Sequence, residues 1–447
     1  MDDRKWAGFK RFMDCFAADD EFRAAASSSP SAAAAAAGIM LDEPQGALEA
    51  VRGIFFREET ASSAAMHYLR AAAERRKTQM DHLSSLMSPR SYASDKLFSY
   101  EALTLSRCRT ECRLLRENTQ VIFFPMAVEL SGGCSVQCPF CGFSAPKHTG
   151  DFRYTPENAA LFRDVIQAAY ERFGPITGAC PLYFATEPFD NPDYERFMLD
   201  VRAITGTFPQ TTTAVAEKDP ERLHAWIARL GLTALRETAA LRISIRTRAQ
   251  FRKISALYSP EETADVELVA NNPESVHSLS RSGRAAAYSG GRRALDYSIC
   301  CVSGVKVSMT EKTVAFIQPE LPGAEYPLGY GVLAERSFRN GTEFAVILDD
   351  FLRSYVHDRL PRDTSLRFNP SIRIKEEDPS WLFMGDRCGY RIGKNPLTSS
   401  VMESIRDLGT FDGGALRFHP DERTLERLYD AFDQLFTRGY VRINYRN

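Results

Sequence analysis

Three cysteines fall within eight residues of one another. The segment VELSGGCSVQCPFCGFSAPKH carries Cys134, Cys138 and Cys141. Thiolates are soft ligands and select zinc, copper(I) or an iron–sulfur cluster. Structural zinc usually takes four ligands in paired short spacings. Here the second pair is missing nearby, and His148 is the close candidate for a fourth ligand. A [4Fe–4S] cubane can instead sit on three thiolates of one compact loop, with one iron left open. Gly132, Gly133 and Gly142 suit a backbone that wraps closely round a bulky group, and Pro139 and Phe140 can shield one side from water. The residues therefore point to an open-site cluster; zinc and three unconnected cysteines are the alternatives.

Other polar residues sit where strands end. In the run RISIR, Ser244 and Arg246 lie two apart and share one face. They are candidate cofactor contacts, as is Thr213 on an earlier strand-like run; strand-end packing is the other reading. Asp190 and Asn191 suit either a ligand contact or a turn and helix cap. Cys180 reads as core or rim, and Cys15, Cys108 and Cys112, in helical context, as structural. The seven histidines show no HExxH spacing, and no Gly-x-Gly-x-x-Gly or Walker pattern occurs, so nicotinamide and nucleoside-triphosphate chemistry have no support.

The elements that must position these residues follow a rhythm. VIFFPMAVEL (121–130) is an apolar, partly β-branched run that ends just before the cysteines and reads as a buried strand. Then come a helix (155–174), a strand-like run PLYFAT (181–186), a helix (191–205), TTTAVA (211–216), a helix (219–231) and ALRISIR (240–246). Two weaker units lie at 266–270 and 305–318. This alternation predicts an α/β fold, a partial (β/α)6 TIM-like barrel over 119–334, with chemistry at the C-terminal ends of its strands. Residues 1–118 read as a helical N-terminal region, with six consecutive alanines (Ala32–Ala37) that fit either helix or low complexity. Residues 335–447 read as a small mixed C-terminal addition capping the active site.

Composition bounds the function. The chain has 447 residues, 44% of them hydrophobic and 26% charged, and a net charge of −2, which argues against a protein that grips bulk nucleic acid. No apolar run is long enough to span a membrane, and the N-terminus has no basic-then-apolar signal pattern. Ten cysteines in so long a chain are not a disulfide scaffold, and a reducing, cytoplasmic location is expected.

Three cysteines spaced three and then two residues apart, straight after a hydrophobic first strand, resemble the radical S-adenosylmethionine superfamily. The resemblance implies one [4Fe–4S] cluster on Cys134, Cys138 and Cys141, with S-adenosyl-L-methionine on its open iron. LYFATEPFDNPDY (182–194), the SGVKVS region after Cys300 and Cys301, and PLGYGVL (327–333) are similar, more narrowly, to epimerases that convert L- to D-residues in ribosomally made precursor peptides of the proteusin kind. That implies a radical epimerase, or alternatively another radical modification such as thioether or C–C crosslinking or methylation. A non-catalytic iron–sulfur carrier is a third class. The resemblance assigns hydrogen return to Cys388 in GDRCGYR; Cys300 and Cys301 are rivals because they precede a barrel strand, and Tyr390 and Arg391, flanking Cys388, are candidates to hold a peptide backbone. The usual Gly-Gly-Glu pattern is replaced by Ala185, Thr186 and Glu187, so Glu187 is the expected amino-group contact. Expected partners are a precursor peptide whose leader binds within 1–118, and a reductant such as flavodoxin or ferredoxin. No nucleic-acid or membrane partner is expected.

Overall fold

A computed structural model of the chain describes residues 1–60, 62–87, 95–111, 123–288, 300–362, 364–369, 372–384, 389–408, 410–412 and 422–445. The first described stretch is helical: α1 (Asp3–Ala18), α2 (Asp20–Ser28), α3 (Pro30–Ala36), α4 (Pro44–Phe56), α5 (Ser63–Leu86) and α6 (Asp95–Glu111). Short polar caps punctuate it. Asp2 accepts from the Lys5 amide at 2.9 Å, and Asp19 ends α1 and caps α2 through the Glu21 and Phe22 amides. The alanine run settles as helix because Ser29 caps it and Pro30 opens its first turn. Helix α1 turns Trp6, Phe9, Phe12 and Phe16 into the core, as their three- and four-residue spacing requires.

The strands form open sheets. β1 (Phe124–Glu129) is buried along its length and leads into the hairpin β2 (Ser131–Gly132) and β3 (Gly150–Asp151). Helices α7 (Pro156–Phe173), α8 (Tyr194–Thr205), α9 (Pro220–Thr238) and α10 (Arg248–Leu257) then alternate with β4 (Thr212–Thr213), β5 (Arg242–Ile245) and β6 (Glu267–Ala270), which pair in parallel. The short turn of helix α11 (Ala285–Tyr288) precedes β7 (Val302–Ser308), β8 (Thr313–Pro319) and β9 (Tyr330–Ser337). β7 runs parallel to β1, but β8 and β9 add to it as an antiparallel meander.

The expected partial (β/α)6 barrel is therefore corrected to a mixed α/β fold with several open sheets. Two local causes account for the difference. PLYFAT does not form a ladder strand: Pro181 has no amide to give, and the Ala185 amide goes to the Glu129 carboxylate at 2.7 Å. The segment instead spans the gap through two backbone bonds of 3.1 Å, Val128 N–H to Pro181 O and Leu182 N–H to Gln210 O. At the other end, the region expected to continue the β-α rhythm turns back at Met309–Lys312 to make the β7–β8 hairpin. Among the described residues no ladder joins β6 to β7.

The N-terminal helices cover the edge this leaves. Trp6 Nε1 donates to Ala264 O at 2.8 Å, Lys10 Nζ to Val266 O at 3.1 Å, and Arg75 pairs with Asp265 at 2.8 Å. A covered edge cannot pair with another chain. After α12 (Gly341–Tyr355), the C-terminal region builds a separate core around Leu366, Trp381, Phe383, Phe432 and Leu435. It is joined to the rest by buried charge: Glu320, just after β8, accepts from Arg442.

Candidate functional site

A cavity of about 580 Å³ opens along the C-terminal ends of the parallel strands. The loop after β1 gives Cys134, Cys138, Cys141 and Phe143; the spanning segment gives Tyr183, Phe184 and Glu187; β5 gives Arg242 and Ser244; and His277 to Ser280 close the side beyond β6. The size is ordinary for a small-molecule site. The alternation of RISI explains the β5 contribution: Ile243 and Ile245 are buried in the core while Arg242 and Ser244 face the other way.

Glu187 is the best-determined side chain in the wall. Its Oε1 accepts from the Thr213 hydroxyl at 2.7 Å and the Phe189 amide at 3.2 Å, and its Oε2 from the Ala214 amide at 2.9 Å. Burial pushes its carboxyl up to about 7, against these bonds, which favour the charged form. Among the described residues no Lys, Arg or His forms an ion pair with it. The turn that carries it is tied down on both sides. Asp190 accepts from the Ser135 amide at 2.8 Å and the Ser135 hydroxyl at 2.5 Å; Asn191 donates to Leu130 O and Phe152 O; Arg222 donates to Phe189 O and Asn191 O.

The cysteine loop is held by its own side chains. Gln137 Nε2 donates to the carbonyls of Cys134, Ala145 and Pro146 at 2.8, 3.1 and 2.8 Å. Gly133, at φ +70°, passes so close to the returning chain that a Cβ there would meet Lys147 O at 2.3 Å. The loop brings all three thiols to the cavity wall, each partly exposed. Burial raises the Cys134 thiol and pushes Cys138 up to about 12, so both are thiols rather than thiolates near neutral pH.

This arrangement overturns the cluster reading. Among the described residues no group of three or more His, Cys, Asp or Glu is placed to hold a metal ion. His148, the close candidate for a fourth ligand, spends its Nε2 on Asp151 at 2.9 Å. The residues do not fit a [4Fe–4S] cluster with S-adenosylmethionine on an open iron. The radical epimerase, the alternative radical crosslinking or methylation, the iron–sulfur carrier and the isomerase class all rested on that cluster, and are corrected with it.

The remaining candidates separate. Glu187 and Ser244 line the cavity, and Thr213 stands behind Glu187. Arg246 is spent on the wall, donating to Ala214 O at 3.1 Å and pairing with Glu217 at 2.8 Å. Cys301 lines the cavity, whereas Cys300 and Cys180 are buried. Tyr390 and Arg391 lie on a strand (Gly389–Gly393) in the C-terminal region, with Arg391 paired to Glu377 at 2.8 Å. Cys388 and Cys112 lie outside the described residues. Sequence reasoning passed over Arg242 and Tyr183. The first was legible, since it shares the face of Ser244 two residues on; the second has no signal beyond its place on the spanning segment.

No known family model matches the chain, and no solved structure matches it. It is 32% identical over 397 residues to the uncharacterized protein y4wI of Sinorhizobium fredii (strain NBRC 101917 / NGR234), a match covering 84% of this chain and 73% of that protein. The chain belongs to the family of that protein. Among the described residues no helix is long and apolar enough to cross a membrane.

Proposed function

We propose that the chain binds an amine-bearing organic ligand in the 580 Å³ cavity, with the ammonium against Glu187 and the apolar part against Phe143 and Phe184. One observation carries this reading: a buried carboxylate, oriented by three donors, lines the cavity without a cationic partner among the described residues. A buried charge is costly unless paired, and an ammonium would supply the missing charge. Phe143 and Phe184, with ring centroids 4.4 Å apart, offer an aromatic wall for the rest of the molecule.

A peptide carries such an amine at its N-terminus or on a lysine, so the precursor peptide remains a proposed source of the ligand. Shared ancestry with the radical S-adenosylmethionine superfamily is likewise a proposal, resting on the cysteine spacing and its place straight after an apolar first strand. A cytoplasmic location is proposed from the eight cysteines among the described residues that form no disulfide. The test is a thermal-shift panel of free amino acids, nucleosides bearing amines, short peptides and the N-acetylated form of each. Free amines should raise the melting temperature and their acetylated forms should not. Equal shifts from both would remove the reading.

A further inference from the structure

We infer that Arg284 is a positioning residue that sets how Cys138 and Cys141 are presented to the cavity. No sequence pattern singles it out. Its Nε donates to Cys138 O at 3.0 Å and its Nη1 to Ala145 O at 2.9 Å, so one planar guanidinium bridges the two ends of the 138–145 turn. Its own amide donates to Cys141 O at 2.9 Å, midway along the same turn. Three bonds from one residue therefore hold the stretch that carries both thiols.

The neighbours make the clamp specific. Gly283 sits at φ +54°, where a Cβ would meet Gly142 O at 2.4 Å and Cys141 O at 2.7 Å; only glycine lets the two backbones come so close. Its amide is anchored away from the loop, on Pro327 O at 2.8 Å. Phe140, at the cavity wall, packs with Leu279 and Ala285, which braces the turn. The third thiol is held otherwise: Cys134 lies under Gln137 and the Ser135–Asp190 bonds, with no bond to Arg284. The clamp is independent of what the cavity binds.

The experiment is native-state alkylation with iodoacetamide, read cysteine by cysteine by mass spectrometry, on the full chain and on R284A and R284K. R284A should raise the rates at Cys138 and Cys141 at least about five-fold, the effect of losing roughly 1 kcal/mol of local holding, while Cys134, Cys15 and Cys180 keep theirs. R284K keeps the charge but not the fork that spans two carbonyls, and should give a smaller rise at the same two thiols. A uniform rise that includes Cys15 and Cys180 would make Arg284 a general stability residue and overturn the inference. So would unchanged rates at Cys138 and Cys141 in both variants.

Discussion

Thr213 and Glu187, 26 residues apart, meet through a 2.7 Å bond in which the hydroxyl donates to the carboxylate. Both were candidates for ligand contact, but the geometry gives them different work. Glu187 lines the cavity; Thr213 is fully buried behind it and fixes the direction of its oxygens. The Ala214 amide beside Thr213 completes the grip, so the end of β4 aims the carboxylate that projects from the spanning segment.

Burial of Glu187 makes stability depend on pH in a set direction. Its carboxyl titrates near 7 in the fold, against an ordinary value of 4.5. Between those values the folded chain holds a proton that the unfolded chain has lost. Stability is then highest below about 4.5 and declines as pH rises to about 7, by something on the order of 3 kcal/mol at most. Urea denaturation from pH 5 to 8, with wild type compared with Glu187→Gln, checks this. The variant should lose this component of the slope; parallel curves would show that Glu187 does not titrate in that window.

Gly133→Ala should loosen the cysteine loop. The added Cβ would fall 2.3 Å from Lys147 O, at a φ of +70° that alanine rarely adopts. A cost of roughly 1–3 kcal/mol follows. Hydrogen exchange should locate the loss at the Cys134 amide, which donates to Pro146 O at 2.9 Å. Unchanged protection there would refute the close-approach argument.

Removing Glu320 should uncouple the C-terminal region. Glu320 is 1% exposed and accepts from Arg442 and from Gln318, the latter at 2.9 Å. Glu320→Ala leaves the Arg442 guanidinium buried without its carboxylate, at a cost of about 3–5 kcal/mol. Chemical denaturation followed separately in the two cores should show the C-terminal one melting first. A single unshifted transition would contradict the role given to this pair.

What could be read from the sequence was what neighbours along the chain decide. β1 was legible as an apolar run, and β5 from the alternation of Arg242, Ile243, Ser244 and Ile245. The spanning segment misled because its apolar residues resemble a strand while Pro181 and the Ala185–Glu129 bond divert its amides. The alanine run was undecidable from composition, and depended on Ser29 capping it. The cysteine spacing was plain, but how the thiols are presented depends on loop bonds from Gln137 and from Arg284, about 140 positions away, a separation no local pattern encodes. The glycines flanking the cysteines were read as room for a cofactor; Gly133 instead makes room for the returning chain at Lys147.

The central claim is that Glu187 receives the amine of a bound molecule. Isothermal titration of the strongest stabiliser from the amine panel, into wild type and Glu187→Gln at pH 8, addresses it directly. The account predicts measurable binding to wild type, at least about tenfold weaker binding to the variant, equivalent to 1.4 kcal/mol, and none of the N-acetylated compound to either. Equal affinity for wild type and Glu187→Gln would contradict it.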